Sequence, residues 1–297
     1  MAENLEIFKY KAAEKTTQAI KAVAAKYPRL NRDFALTKQD CVEGKNLSDN
    51  ISAEDTKFEL KTYGDFNVYV LGEDKSNEVI MYLHGGGYLF GLYKNQVAIM
   101  DMIAAKTGKQ VYVVDYGLPL KYDWTHAYDL LNKVYDDICA QNKDFIMMGD
   151  SAGAGMGLGF VELLKEQGKK LPTKQVLISP WLDLTMSNPE SKQIEDEDAF
   201  LSIDCLLGAG ELWAKDLDKK DYKVSPLFGD LEGLPQTMLT TGTLEVMYPD
   251  IIKLSEELSN KGTKVKLIVC EGLYHAYPWF PVEESKTTLD QILDFIS

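Results

Sequence analysis

The sequence predicts an α/β protein in which helices cover both faces of a mostly parallel β-sheet. Short apolar segments alternate with amphipathic helical segments from about residue 79 to the end of the chain. Hydrophobic residues make up 45% of the 297 residues, which is enough for a large core. Several of the helical segments end at a glycine, as at Gly108, Gly168 and Gly262. We therefore expect a single domain over residues 1–297, with the loops after the strands at one edge of the sheet.

The first residues of the chain, 1 to about 35, favour an amphipathic helix. Ile20, Val23 and Tyr27 fall on one face of such a helix, with lysines on its other faces. Pro28 ends the pattern. Because an apolar helix face must cover another part of the protein, we expect this helix to lie over the sheet.

The strands and helices of the main alternation differ in length and periodicity. Each predicted strand is a short run of strand-like residues, and each predicted helix is a longer segment. The predicted strands are Lys57–Tyr63, Phe66–Leu71, Val79–Leu83, Val111–Val114, Phe145–Met148, Gln175–Ile178, Thr237–Thr240 and Lys264–Val269. The predicted helices are Asn95–Lys106, Thr125–Ala140, Ala154–Gln167, Pro249–Asn260 and Val282–Ile296. The first two strands are expected to form a hairpin through Gly64 and Asp65.

A segment from about 183 to 233 interrupts the alternation. It is too long for a plain loop and should contain structure of its own. Its helical part carries Leu206, Leu207, Leu212 and Trp213. We expect this insertion to form a helical cap over the sheet edge together with residues of about 1–45. Its acidic run, residues 195–198, is predicted to be a solvated surface, because a metal site is disfavoured where no histidine is near.

Charge, hydropathy and cysteine content indicate which partners and which cellular location the sequence favours. The net charge of −14 disfavours nucleic acids and anionic membranes as partners. No apolar run approaches the roughly 20 residues that span a bilayer, and no signal peptide is visible. The four cysteines are scattered without metal-like spacing, which favours a cytoplasmic protein with free thiols; they are Cys41, Cys139, Cys205 and Cys270. The sequence predicts neither a cofactor nor a metal, and it leaves a homodimer open.

The clearest motif follows the apolar strand at Phe145–Met148. It is Gly149-Asp150-Ser151-Ala152-Gly153, the G-x-S-x-G pattern in which a serine lies at a sharp turn from a strand into a helix. The N-terminal N–H groups of that helix would favour negative charge developing at Ser151. The alternative interpretation is a glycine-rich turn with a buried serine, since the pattern alone also arises by chance.

A glycine-rich loop follows the strand at Val79–Leu83. Its residues are His84-Gly85-Gly86-Gly87-Tyr88. Consecutive glycines allow backbone N–H groups to surround one atom, which in acyl transfer is the oxyanion. A phosphate-binding loop is the alternative, but no Lys-Ser or Lys-Thr pair follows the glycines.

A serine nucleophile requires a base, and the chain has three histidines. His275 follows a strand and should lie at the same sheet edge as Ser151, whereas His84 is expected to brace the glycine loop and His126 to be structural or to line the pocket. The acid that orients the base should follow the strand at Thr237–Thr240. Glu245 and Asp250 are the candidates; we favour Glu245, because Asp250 follows Pro249 and suits the first turn of a helix.

These motifs resemble the hormone-sensitive-lipase-like family of α/β-hydrolases over essentially the whole chain. The matching segments are His84–Tyr88, Val114-Asp115-Tyr116, Gly149–Gly153, Ser225-Pro226-Leu227 and the His275 loop. The resemblance implies the α/β-hydrolase fold, Ser151 as nucleophile, His275 as base, and an oxyanion hole formed by the N–H groups of Gly86, Gly87 and Ala152. The chain departs from the family at the acid, where Glu245-Val246-Met247 replaces the usual Asp-Pro-Leu. It also lacks the arginine that often follows the tyrosine at position 116.

The predicted activity is that of a serine carboxylesterase acting on small esters with short to medium acyl chains. Alternatives are a deacetylase of acetylated sugars or other metabolites and, from a different class, a non-catalytic receptor for small ligands. A lipase acting at interfaces is disfavoured because the insertion is acidic. The candidate residues of the substrate pocket are large and apolar; they are Tyr88, Trp124, Leu206, Trp213 and Tyr277.

Overall fold

The strands form one sheet in a computed structural model that describes residues 4–26, 34–42 and 56–297. They are β1 (Leu5–Lys11), β2 (Phe58–Tyr63), β3 (Phe66–Leu71), β4 (Glu78–Leu83), β5 (Val111–Asp115), β6 (Asp144–Asp150), β7 (Lys174–Ile178), β8 (Gln236–Gly242) and β9 (Val265–Glu271). Their order across the sheet is β1-β9-β8-β7-β6-β4-β5-β3-β2. Strand β3 runs antiparallel to β2 and β5, and the other neighbouring pairs are parallel. The predicted mostly parallel sheet is thus confirmed.

Helices lie on both faces of this sheet. The helices of the described residues are α1 (Glu14–Ala24), α2 (Phe34–Val42), α3 (Lys94–Thr107), α4 (Trp124–Ala140), α5 (Ser151–Glu166), α6 (Pro189–Ile194), α7 (Ile203–Ala214), α8 (Tyr248–Asn260) and α9 (Glu283–Ile296). Alternate residues of β4 face opposite sides: Met81 packs in the core beneath α4 and α5, and Ile80 in the core beneath α3 and α9. The sheet therefore lies between two apolar layers. Among the described residues, none of the helices combines the length and hydropathy needed to span a membrane.

The N-terminal segment differs from the prediction. Residues 5–11 were expected to be helical but form β1, which pairs in parallel with β9 along its whole length. Phe8 and Tyr10, two residues apart, turn towards the core, as the period of a strand requires. Within residues 4–26, the helical part is α1, where Ile20 is buried but Val23 is 45% exposed. Tyr27 and Pro28 lie outside the described residues.

The inserted segment carries structure of its own, as predicted. It contains α6, α7 and a short 3-10 helix at Pro226–Phe228. Helix α7 packs against α2, where the backbone N–H of Phe34 donates to Asp204 Oδ2 at 3.1 Å and Thr37 Oγ1 lies 3.3 Å from Cys205 Sγ. The N-terminal segment and the insertion therefore contact each other.

The prediction for the acidic run is wrong at one end. Asp196 and Glu197 are exposed, but the side chain of Asp198 is 3% exposed. Its carboxylate is buried because three backbone N–H groups point at it, those of Phe200, Leu201 and Val246. Charge in the sequence alone does not reveal such local hydrogen bonds.

Candidate active site

Ser151 lies at the sharp turn between β6 and α5. The helix begins at Ser151 itself, three residues before the predicted start. Ser151 has a φ of +53°, which is unusual for a residue other than glycine. A Cβ atom at Gly153 would lie 2.2 Å from the carbonyl oxygen of Leu83, so a side chain there is excluded. The turn is therefore packed directly against the end of β4, where the glycine loop starts.

The structure brings Ser151, His275 and Glu245 together at the carboxyl edge of the sheet. Ser151 Oγ lies 2.8 Å from His275 Nε2, and His275 Nδ1 lies 2.5 Å from Glu245 Oε2. Since an ionised carboxylate can only accept hydrogen bonds, Nδ1 carries the proton and Nε2 accepts the one from the Ser151 hydroxyl. Ser151 is 5% exposed, His275 9% and Glu245 0%. This is the geometry of a nucleophile, a base and an orienting acid.

The second carboxylate oxygen of Glu245 is fixed by three donors. Oε1 accepts from Ser179 Oγ at 2.9 Å, Thr241 Oγ1 at 2.6 Å and the Gly242 N–H at 3.0 Å. Ser179 Oγ also accepts from the N–H of Ala276 at 3.1 Å, which joins the acid to the loop of the histidine. These bonds hold the longer glutamate side chain in one orientation.

Asp250, the rival candidate for the acid, lies in the first turn of α8. Its Oδ1 accepts from Asn188 Nδ2 at 2.8 Å, and its backbone belongs to the helix that begins at Tyr248. This position agrees with the predicted role of Asp250 as a helix N-terminal charge. The structure places Glu245, and not Asp250, against His275.

The carboxylates around His275 affect the pKa of its imidazole. Burial by itself lowers the pKa of this imidazole, but the Glu245 carboxylate, with Asp198 and Asp150 nearby, raises it by more, so that the pKa lies above its ordinary value. An imidazolium formed during a reaction would therefore be stabilised by these carboxylates. Below its pKa the imidazole is protonated and cannot act as a base.

The two other histidines have structural partners. His84 donates from Nδ1 to the Gly85 carbonyl at 2.8 Å and stacks on Tyr116, whose hydroxyl donates to the His84 carbonyl at 2.7 Å. Burial lowers the pKa of His84 to about 4, so its ring is neutral. His126 pairs with Asp123 at the start of α4. His84 thus braces the glycine loop, as predicted, and His126 is structural.

The glycine loop curls in front of Ser151. Gly86 and Gly87 have φ values of +123° and +58°, and a Cβ at Gly86 would lie 2.5 Å from the Phe90 carbonyl oxygen. Within the described residues, no protein acceptor is bonded to the N–H groups of these two glycines. Gly86 lines the cavity at Ser151. The loop therefore has backbone donors available for an atom bound in the cavity.

Asp150, which precedes the serine, supports this loop and was not identified from the sequence. Its Oδ1 accepts from Tyr82 Oη at 2.5 Å and from the Gly85 N–H at 3.0 Å. Gln96 Nε2 lies 3.3 and 3.2 Å from its two oxygens. The carboxylate thus ties the first glycine of the loop to β6 and α3. Its position within the G-x-S-x-G pattern, next to Ser151, is the sequence feature from which a role in the site could have been predicted.

A cavity of about 360 Å³ opens above Ser151 and His275. Its walls are mainly apolar and come from the ends of α1 and β6, the glycine loop, α3, the insertion and the segment after His275. The wall residues are Val23, Ala24, Phe90, Tyr93, Asn95, Gln96, Phe200, Leu201, Ala276, Trp279 and Phe280. Phe90 and Trp279 each lie a few residues after a predicted motif, which was the signal that could have found them.

The five predicted pocket residues are not part of this wall. Tyr88 stacks on Trp213 with ring centroids 4.1 Å apart, behind the glycine loop, and its hydroxyl donates to the Ala152 carbonyl. Trp124 packs edge-on against Tyr128, Leu206 is 1% exposed in the core, and Tyr277 Oη lies 2.6 Å from Thr288 Oγ1. Four of the five are instead buried in the core, and Trp124 is partly buried against it.

Comparison with known proteins places these features among ester hydrolases. A family model described as alpha/beta hydrolase fold matches residues 80–278. An esterase of Acinetobacter venetianus is 32% identical over 234 residues, covering 76% of this chain and 77% of that protein. An acetyl-hydrolase of Streptomyces hygroscopicus is 26% identical, covering 69% and 70%. The crystal structure of a hormone-sensitive lipase from a metagenome library superposes with a TM-score of 0.81 at 25% identity, covering 97% of this chain and 99% of the other.

Proposed function

We propose a catalytic role for each of three residues in this chain, which belongs to the α/β-hydrolase family and is a carboxylic ester hydrolase. In this assignment Ser151 is the nucleophile, His275 the general base and Glu245 the acid that orients it. The observation that carries the proposal is the hydrogen-bonded chain from Ser151 Oγ to His275 Nε2 and from His275 Nδ1 to Glu245, at the floor of an apolar cavity.

The proposed reaction proceeds through an acyl-enzyme. Ser151 Oγ attacks the ester carbonyl while His275 Nε2 takes the hydroxyl proton, and Glu245 stabilises the imidazolium that forms. The oxyanion of the tetrahedral intermediate accepts hydrogen bonds from the N–H groups of Gly86, Gly87 and Ala152. His275 then protonates the departing alcohol. In the second half of the reaction, His275 takes a proton from a water molecule as that water attacks the acyl carbon. The proton then passes to Ser151 Oγ as the carboxylic acid product leaves.

The size and lining of the cavity support small substrates with short to medium acyl chains. The cavity volume of about 360 Å³ lies near the lower end of the range of roughly 300–1,000 Å³ found for small-molecule pockets. Phe200, Leu201 and Phe280 contribute apolar surface that favours hydrocarbon chains. An acetyl group also fits such a space, which is compatible with deacetylation of a small metabolite as the second candidate.

The three free cysteines that the structure describes support a cytoplasmic location.

A series of p-nitrophenyl esters from acetate to laurate tests the proposed specificity. We expect kcat/KM to be highest for acyl chains of about two to eight carbons and to fall for longer chains, because the apolar walls limit length. The Ser151→Ala variant serves as the control for background hydrolysis. Faster hydrolysis of emulsified long-chain triglyceride than of soluble short esters would overturn this proposal.

A further inference from the structure

The buried carboxylate of Asp198 joins the cavity wall to the loop of the triad acid. Oδ1 accepts from the N–H groups of Phe200 at 2.9 Å and Leu201 at 3.1 Å. Both of these residues line the cavity above Ser151. Oδ2 accepts from the N–H of Val246 at 2.9 Å. The same side chain thus holds a wall of the cavity with one oxygen and the residue that follows Glu245 with the other.

Asp198 also interacts electrostatically with His275. Its negative charge acts on His275 together with those of Glu245 and Asp150, and each of the three favours the imidazolium. Among the described residues, Tyr274 is a further titratable group on which the charge of Asp198 acts, together with that of Glu197. Of these three carboxylates, Asp198 is the one that belongs to the inserted segment.

We propose that Asp198 is a positioning residue of this esterase. It holds the Glu245 loop and the Phe200–Leu201 wall in fixed positions relative to each other, and it supports the positive charge that forms on His275. This inference rests on the proposed function, because it assigns a role relative to the triad. Since Asp198 does not line the cavity, it acts through its neighbours and does not contact the substrate.

The sign of the charge effect follows from the protonation states. Burial raises the pKa of Asp198 to about 6, with the three N–H groups and His275 opposing the rise, so the carboxylate is ionised above that pH. An ionised Asp198 raises the pKa of His275, and the reaction needs neutral imidazole. Removing the charge should therefore shift the acidic limb of kcat/KM to lower pH.

Asp198→Asn is the decisive variant. An amide has one acceptor oxygen for donors that lie on both sides of it, so either Val246 or the Phe200–Leu201 pair loses its acceptor. We expect kcat with p-nitrophenyl butyrate at pH 8 to fall by about tenfold. We expect the midpoint of the acidic limb to move down by about 0.5 pH unit. A residue that merely supported the fold would lower the melting temperature and leave this midpoint unchanged.

Glu195→Gln is the matched control from the same acidic run. Glu195 accepts from the Ile203 N–H at 2.7 Å and pairs with Lys192, and it is not among the carboxylates found to raise the pKa of His275. We expect its pH profile to coincide with that of the wild type. A midpoint that moves equally in both variants would overturn the proposal, because it would reflect the general field of the acidic run.

Asp198→Glu and Ser151→Ala complete the test. The glutamate keeps the charge, so we expect the wild-type midpoint to return even if the longer side chain lowers kcat. Failure of both Asp198 variants to fold would make the residue purely structural and refute the proposal. Activity in Ser151→Ala would refute the proposed function instead. If Ser151→Ala is inactive but Asp198→Asn keeps the wild-type kcat and midpoint, the proposed function stands and only the inference about Asp198 is refuted.

Discussion

The substitution Glu245→Gln probes the triad acid with almost no change of volume. The glutamine must choose between two orientations, because its amide has one acceptor oxygen and one NH₂ group. Glu245 Oε1 receives three donors, and the two from Ser179 and Thr241 are hydroxyls that can rotate to accept. The third is the backbone N–H of Gly242, which cannot reverse its role. The amide oxygen is therefore expected to stay at the Oε1 position.

The amide NH₂ group then faces His275 Nδ1 in place of the carboxylate. Nδ1 must become an acceptor, so the ring carries its proton on Nε2, where it points at Ser151 Oγ. Such an imidazole cannot take the serine proton, and its charged form has also lost its carboxylate partner. We expect kcat to fall by about 10⁴, which corresponds to about 5.4 kcal/mol of transition-state stabilisation.

The assay compares kcat for p-nitrophenyl butyrate and the melting temperature in Glu245→Gln and Asp250→Asn. Asp250→Asn alters a carboxylate at the start of α8 and should cost about 1 kcal/mol of stability or less while sparing kcat. If Glu245→Gln retained kcat within tenfold of the wild type while folded, or Asp250→Asn were the inactive variant, the assignment of the acid would be wrong.

Two further variants test the loop and the core. Gly86→Ala places a Cβ 2.5 Å from the Phe90 carbonyl oxygen at a φ of +123°, so the loop must shift; we expect kcat to fall by about 10²–10³ with KM little changed, and full activity would exclude Gly86 from the oxyanion hole. Burial raises the pKa of Glu162 to about 9, so the folded protein holds a proton that the unfolded chain loses above about 4.5. Stability should therefore decrease as pH rises between these values, and Glu162→Gln should raise the melting temperature at pH 8.5 but not at pH 4.5. An equal change at both pH values would contradict the neutral state of Glu162.

The sequence predicted the parts of the fold that depend on local periodicity. Alternating apolar strands and amphipathic helices are sufficient to indicate a parallel sheet with covered faces, and the residues after those strands then share one edge. Ser151 and the glycine loop were proposed from their motifs, and His275 because it follows a strand that ends at the same edge as Ser151. Strand β1 was not predicted, because a half-exposed edge strand of seven residues has a weak hydrophobic alternation that can be mistaken for one face of a helix.

The walls of the cavity could not be predicted because they depend on how separate segments pack. Phe200 and Leu201 reach the cavity from the insertion, and Trp279 reaches it from the chain after His275. The large residues Tyr88 and Trp213 pack on each other instead, since a stacked pair buries more apolar surface than a cavity wall does. The sequence favoured Glu245 over Asp250 as the acid, and the structure adds the partner of each side chain, which is His275 for Glu245 and Asn188 for Asp250.

The most direct test of the central claim is covalent labelling of the active serine. A fluorophosphonate reacts with a serine only where a base and an oxyanion hole activate it. Intact mass spectrometry of the treated enzyme should show one adduct per chain, peptide mapping should place it on Ser151, and Ser151→Ala should bind no label and lose about 10⁴-fold or more in activity. Label on a different residue, or ester turnover that persists in Ser151→Ala, would contradict the account.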